Sequence, residues 1–191
     1  MTRYAVRELG PDTWPEFASL VEKHSGIWGG CWCVAFHRKP GEDWNERTAE
    51  QNMRLKEELV MAGRTHNALV YDGGAVVGFC QFGPPAELPS RMGGYARLGL
   101  VLPDWRIPCF FVDRDHRRDG VARAALEGAL RLIARRGGGT VDGYPISVHR
   151  EDYGSSFLWG GTESMFARAG FERLERLGKS KVLMRKIVRR R

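Results

Sequence analysis

No stretch of this sequence is apolar for long enough to cross a bilayer as a helix. A span needs about 20 consecutive apolar residues, and charge interrupts every such window here. The opening residues, MTRYAVRELGPDTW, lack the continuous apolar core of a secretory leader, so a cytoplasmic chain with no membrane partner is expected. Cysteine is scarce: only Cys31, Cys33, Cys80 and Cys109 occur, and without a leader they are expected as reduced thiols. No paired Cys-x-x-Cys spacing exists. Cys31, Cys33 and His37 come nearest to a metal set, yet fall short of the four ligands of a structural zinc site. They read better as small apolar groups among Trp28, Trp32 and Phe36, so no metal is expected.

Two phosphate-binding patterns are also missing. A Gly-Lys-Ser triplet occurs at 178–180, but the glycine that a P-loop needs five residues earlier is Arg173, and the triplet lies between strand-like segments. GGGTVDG at 137–143 lacks the Gly-x-Gly-x-x-Gly spacing and precedes a strand instead of following one. These absences exclude the commonest nucleotide-binding folds.

What remains is an ordinary globular composition, 42% hydrophobic and 28% charged. The net charge of +7 favours anionic partners without specifying a fold. Part of that excess is the RRR end, residues 189–191, expected as a solvated tail. The 191 residues suit one domain, expected over 1–188.

Along the chain, 4–10 reads as a strand and 11–26 as a helix carrying Trp14, Phe17, Leu20 and Val21. Residues 26–45 are irregular and aromatic. A second helix over 46–63 is expected to turn Met53, Leu55, Leu59, Val60 and Met61 inward. Residues 67–83 are two apolar runs about Asp72-Gly73-Gly74, a hairpin signal. A Pro- and Gly-broken connection leads to a strand over 104–112, whose Pro108 predicts a bulge or lost pairing. A helix over 120–136, a strand region over 137–148, a short helix over 161–171 and a closing strand pair complete the order. Hairpins mixed with strand-helix-strand units predict an α/β (α+β) chain: a mixed, mostly antiparallel sheet of about seven strands flanked by helices.

The most informative segment is DRDHRRDGVARAAL, 113–126. Ala122, Leu126, Ala129, Leu130 and Ile133 give the helix an apolar face, with Arg123, Glu127, Arg131 and Arg135 opposite. At its start, unpaired N–H groups and the positive end of the dipole meet Arg117, Arg118 and Arg123, and Gly120 permits close backbone approach. Such a turn can hold a phosphate. Equally, Asp119 can cap the helix with Gly120 only easing the turn.

VDRDHRRDGVA, 112–122, resembles the acyl-CoA loop of the Gcn5-related N-acetyltransferase superfamily, in which a strand end is followed by Arg/Gln-x-x-Gly-x-Gly/Ala. The matching residues are Arg117, Gly120 and Ala122. The preceding hairpin, the strand after the helix and the later Ala169-Gly170-Phe171 stand in the family's order, so the resemblance spans about residues 4–188. It implies a sheet splayed at the acyl-CoA site. Acetyl-CoA would be the acyl donor, held by Phe111, Val112, Arg117, Arg118, Asp119, Gly120, Val121, Ala122 and Arg123. The first two helices and their connection would wall the acceptor cleft, making Trp28, Trp32, Phe36 and Trp44 candidate pocket residues.

The family often supplies a tyrosine as proton donor four residues before the glycine of its Gly-Phe pair, and here that residue is Phe166. Tyr153, Ser156, Thr162 and Ser164 are the substitutes for the acid; Asp104 and Glu163 are candidates for the base; His116 is better suited to an anion, and His149 is a further candidate. The leading expectation is transfer of an acetyl group to a primary amine by direct attack in a ternary complex. A small-molecule acceptor is favoured over a protein amine, and the chain would be a monomer or homodimer. A non-catalytic acyl-CoA-binding regulatory domain is the alternative that Phe166 motivates. An aminoacyl-tRNA acetyltransferase ranks last, because no basic strip is interleaved with aromatics.

Overall fold

The computed structural model describes residues 4–147 and 159–191. Tyr153, Ser156 and His149 fall outside the described residues, as does the side chain of Trp44. The elements follow the expected order with one addition. They are β1 (Ala5–Glu8), α1 (Trp14–Lys23), α2 (Ala49–Met61), β2 (His66–Asp72), β3 (Ala75–Gly83), α3 (Gly93–Arg97), β4 (Trp105–Val112), α4 (Val121–Arg135), β5 (Gly139–Gly143), α5 (Glu163–Arg168), β6 (Glu172–Leu177) and β7 (Lys181–Val188). The added helix is α3, a single short turn in the connection expected to be irregular.

The strands form one seven-stranded sheet in the order β1-β2-β3-β4-β5-β7-β6, antiparallel except where β4 meets β5. Helices cover both faces, and the two-residue period of the strands sorts side chains between them. On one face Ala68, Val70, Ile107 and Phe110 pack with Ala125, Leu126, Ala129 and Ile133 of α4. On the other, Leu69, Tyr71, Val76 and Phe79 pack with Phe17, Leu20 and Val21 of α1. A register shift between Val70 and Tyr71 leaves Val77 as an extra residue without a partner in the β2–β3 register.

Two helix faces differ from the periodic expectation. In α4 the buried line is Val121, Ala125, Leu126, Gly128, Ala129 and Ile133, with Ala122 and Leu130 at its margin. The larger departure is α2, whose buried residues are Asn52, Lys56 and Val60, while Met61 is 52% exposed. Lys56 is buried completely, held by Thr65 Oγ1 at 2.6 Å and Asn67 Oδ1 at 2.9 Å. Of the five apolar residues expected inward, Val60 is buried and Met53 packs against the core; the rest of the inner face is polar and hydrogen-bonded, which periodicity does not signal.

Candidate functional site

β4 pairs with β5 only through Trp105–Val141, Arg106–Asp142 and Ile107–Gly143. Pro108 follows, with no N–H to offer. From Cys109 to Val112 the strand stays paired with β3 on one side, and no described strand pairs with its other edge. The lost pairing expected at Pro108 is therefore the point where the sheet splits.

Phe166 of α5 fills the fork. It is buried, edge-on to Phe110 at 5.9 Å and to Phe171 at 4.8 Å between ring centroids. Any Cβ at position 143 would collide with its ring, so Gly143 is what lets α5 seat against β5. Position 166 thus holds a packing group, and a proton donor there would be shut away from the cleft.

The split opens into a cleft of about 750 Å³. Phe110, Phe111 and Val112 line it from β4, and His116, Arg117 and Arg118 from the loop beyond. Gly120 to Arg123 line it at the start of α4, and Gly161, Thr162, Met165 and Arg168 from around α5. Trp28 and Trp159 complete the wall. A smaller pocket of about 360 Å³ shares Gly120, Arg123, Thr162, Met165 and Arg168 with it and adds Asp119 and Ser164.

The start of α4 is built to stay open. Gly120, at φ 85°, is the N-cap, and no side chain caps the helix. Two helices are closed by side chains: Thr48 and Gln51 form a reciprocal capping box on α2, and Thr162 caps α5 by accepting from the Met165 N–H; α1 and α3, like α4, have no side-chain cap. Asp119 is therefore not the cap that local physics allowed; its carbonyl accepts from the Tyr4 hydroxyl at 3.2 Å. The first amide to close the α4 ladder is Ala124, donating to the Gly120 carbonyl at 3.0 Å. The N–H groups of Val121, Ala122 and Arg123 precede it and have no intrahelical acceptor.

Asp113 fixes the loop that delivers this helix. Its amide donates to the Val77 carbonyl at 2.9 Å, and its buried carboxylate accepts from Lys23 Nζ at 2.6 Å and the Asp115 N–H at 3.1 Å. His24 Nε2 lies 3.3 Å away. Burial alone would raise the carboxyl pKa; the hydrogen bonds from Lys23 and Asp115 and the Lys23 charge outweigh it and hold the group below its ordinary value. The end of α1 is thereby tied to the loop that precedes α4.

Of the expected donor-site residues, Phe111, Val112, Arg117, Arg118, Gly120, Val121, Ala122 and Arg123 line the larger cleft, and Asp119 the smaller pocket. Trp28 lines the cleft, whereas Trp32 is buried in the α1 core against Trp14, with centroids 6.1 Å apart. Phe36 is buried behind Trp159, ring centroids 5.7 Å apart, and reaches the cleft only through it.

The base candidates lie outside the cleft lining. Asp104 precedes the first residue of β4, and the cleft lining begins at Phe110; six residues at about 3.3 Å each put Asp104 roughly 20 Å from it. There its carboxylate accepts from the Thr140 N–H at 2.7 Å and Oγ1 at 2.8 Å, clamping β4 to β5. Glu163 pairs with Arg173 at 3.3 Å and lines neither pocket. Ser164 lines the smaller pocket, 3.3 Å from Thr162 Oγ1. Trp159 and Arg168 belong to the cleft and carry no periodic or motif signal in the sequence; only their place beside Gly160-Gly161 and Ala169-Gly170-Phe171 marks them.

A sheet split after a short parallel pairing, with an uncapped helix start at the fork, defines an acyl-CoA N-acyltransferase fold. The family model described as the Acetyltransferase (GNAT) family matches residues 27–142, and the chain belongs to that family. No curated protein sequence matches it. Among solved structures it is similar to a histone acetyltransferase HPA2 and related acetyltransferase from Corynebacterium glutamicum: 17% identity, TM-score 0.56, 97% of this chain and 96% of that one covered. It is also similar to an acetyltransferase from Thermus thermophilus, at 15% identity and TM-score 0.52 over 97% of each chain. A phosphinothricin acetyltransferase from Sinorhizobium meliloti, solved in complex with AcCoA, matches at 14% identity and TM-score 0.54, covering 98% of this chain and 89% of that one. At these identities the likeness speaks for the fold. Among the described residues, no group of three His, Cys, Asp or Glu side chains is arranged to hold a metal ion, and no helix is long and apolar enough to cross a membrane.

Proposed function

We propose that this chain is an acetyl-CoA-dependent N-acetyltransferase acting on a small primary amine by direct attack in a ternary complex. One observation carries the reading: a single cleft runs from the uncapped start of α4 along the open edge of β4 to Trp28 and Trp159. Membership of the acetyltransferase family supports it.

In this reading the donor's diphosphate lies on the N–H groups of Val121, Ala122 and Arg123, where the helix dipole favours negative charge. Arg117, Arg118, Arg123 and Arg168 offset the remaining charge from the cleft wall. The pantetheine amides lie along the edge of Phe110 to Val112 that β5 leaves open, taking the hydrogen bonds a neighbouring strand would have made. The same edge polarises the thioester carbonyl and stabilises the oxyanion formed as the amine adds. Holding amine and thioester in one cleft supplies the proximity contribution. The thiolate leaves without help from residue 166, since CoA thiolate is a fair leaving group. Two tryptophans in the wall narrow the acceptor end toward a small amine over a peptide. The catalytic unit would be residues 1–188, working in the cytoplasm as a monomer or homodimer.

Burial of Phe166 in place of an exposed acid is the observation that favours the second reading, an acyl-CoA-binding regulatory domain. Incubation with acetyl-CoA and a panel of primary amines separates the two. The proposal expects equal amounts of free CoA and acetylated amine for at least one member; saturable acetyl-CoA binding with every amine unmodified would support the regulatory reading.

A further inference from the structure

The α4 end of the cleft has its own arginines, Arg117, Arg118 and Arg123, and a second set of cations stands at the other end, around Trp159. Lys181 Nζ lies 3.3 Å from the centre of the Trp159 ring, and the Arg91 guanidinium carbon 5.4 Å from it. Arg91 also lies over Phe36, which packs against the same tryptophan, at 5.7 Å. An aromatic face attracts a cation but brings no counter-charge. Among the described residues no carboxylate pairs with either cation, and the charges felt by Lys181 are those of Arg91 and Cys109.

The fold holds both cations in place. Arg106, buried in β4, donates from Nη1 to the Leu88 carbonyl and, at 3.1 Å, to the Ser90 carbonyl; the Ser90 N–H donates to the Phe36 carbonyl at 3.3 Å. These bonds fix the turn that carries Arg91, whose φ of 62° is a left-handed value that residues with side chains rarely adopt. The remaining acceptor of Arg106 is the Tyr144 hydroxyl, so its partners are neutral and its charge adds to the positive field. The Asp142 carboxylate lies one hydroxyl further, through Tyr95, and is already held by Arg185 at 2.7 and 2.8 Å. Lys181 opens β7, where Ile146 bridges to it on one side and to Thr162 of the cleft wall on the other. Two strand spacings put the Lys181 backbone roughly 10 Å from that wall, and its ammonium rests on Trp159, which is part of the wall.

We propose that the acceptor is an amine that also carries a carboxylate, and that Arg91 and Lys181 receive the carboxylate beside Trp159 while the amine faces the open edge of β4. The planar fork of a guanidinium matches a carboxylate, and the ammonium adds a point charge next to it. Burial and the Arg91 charge lower the Lys181 pKa to about 8, so it stays charged at neutral pH. An arriving carboxylate offsets the repulsion between the two cations. The role of the amine rests on the acetyl-transfer reading above; the carboxylate site is testable by binding alone.

The probes are β-alanine, γ-aminobutyrate and phenylalanine, each beside its own amide, titrated calorimetrically into the full-length chain with CoA present. At least one carboxylate is expected to bind saturably and about tenfold more tightly than its amide, and to weaken as salt is raised. Arg91 is exposed, so Arg91→Gln is not expected to disturb folding. That variant and Lys181→Gln, each checked by circular dichroism, are expected to lose the preference. Equal binding of acid and amide, no binding of either, or an unchanged preference in both folded variants would overturn the proposal. Turnover with acetyl-CoA separates this site from the reading it rests on. A carboxylate that binds as expected but is never acetylated would contradict the transfer reading and leave the site standing. Acid and amide acetylated with equal kcat/KM, compared per neutral amine, would overturn the site and leave the transfer reading standing.

Discussion

At the scale of single residues, Phe166 explains most. Its ring sits where β4 and β5 part, against Phe110, Phe171 and the bare Cα of Gly143. Removing it with Phe166→Ala is expected to cost about 3–5 kcal/mol, as for other buried aromatics. Phe166→Tyr tests more: if the residue is only a wedge, the new hydroxyl is buried without a partner and costs about 1–3 kcal/mol, with no gain in acetyl transfer. Equilibrium urea unfolding and turnover of the same variant check both halves. A stable, faster Phe166→Tyr enzyme would mean that the ring tip reaches the cleft. The sequence showed that the family's tyrosine is missing; it did not show what the phenylalanine does, because that depends on a neighbour 23 positions away, Gly143.

At the scale of elements, α2 and α4 mark the limits of pattern reading. The start of α4 was legible because its demands are local: a left-handed glycine, an uncapped first turn and arginines within a few positions. The inner face of α2 was legible only in part. Val60 and Met53 face the core as the pattern suggested, but Lys56 in its network with Thr65, Asn67 and His37, and Asn52 on the Gly30 carbonyl, take the rest of the inner face. Asp104 was not distinguishable from a cleft residue in the sequence, since a strand has two ends and only the last residues of β4 reach the cleft.

The polar layer has a consequence for pH. His37 donates from Nδ1 to the Glu87 carbonyl at 2.9 Å, and its Nε2 lies 3.0 Å from Thr65 Oγ1 and 3.1 Å from Gln81 Nε2. Burial, reinforced by the Lys56 charge, lowers its pKa to about 3, so the folded state keeps it neutral. The unfolded chain protonates it below about 6.5. Between those values the unfolded state binds more protons, so the His37 contribution is complete above pH 6.5 and declines as pH falls toward 3. Urea unfolding at pH 7 and pH 5 is expected to show wild type losing on the order of 1–2 kcal/mol across that step. His37→Gln is expected to start less stable and to lose less. Equal losses in both proteins would place the pH sensitivity elsewhere.

At the scale of the whole molecule, the fold was readable from the sequence because every element of the sheet carries its own signal: a hairpin at Asp72-Gly73-Gly74, a proline where pairing stops, a glycine at the helix start. The cleft was readable only at its α4 end. Trp159 lies beside Gly160-Gly161 in a stretch without periodicity, and Trp32, equally aromatic, went to the core. Periodicity separates buried from exposed positions within an element; it says nothing about which loop residues face each other across a split sheet.

The account stands on acetyl-CoA binding at the open start of α4. Thermal unfolding with and without acetyl-CoA, in wild type and in Gly120→Glu, tests it most directly. A ligand at about 100 times its Kd adds about 2.7 kcal/mol, which for a chain of this size raises Tm by roughly 5–10 °C. A Cβ at position 120 meets no atom within 4 Å, although φ 85° strains any side chain there, so each protein is compared with itself rather than with the other. The prediction is a rise in wild type and none in Gly120→Glu. No rise in wild type at millimolar acetyl-CoA, or an undiminished rise in the variant, would contradict the account.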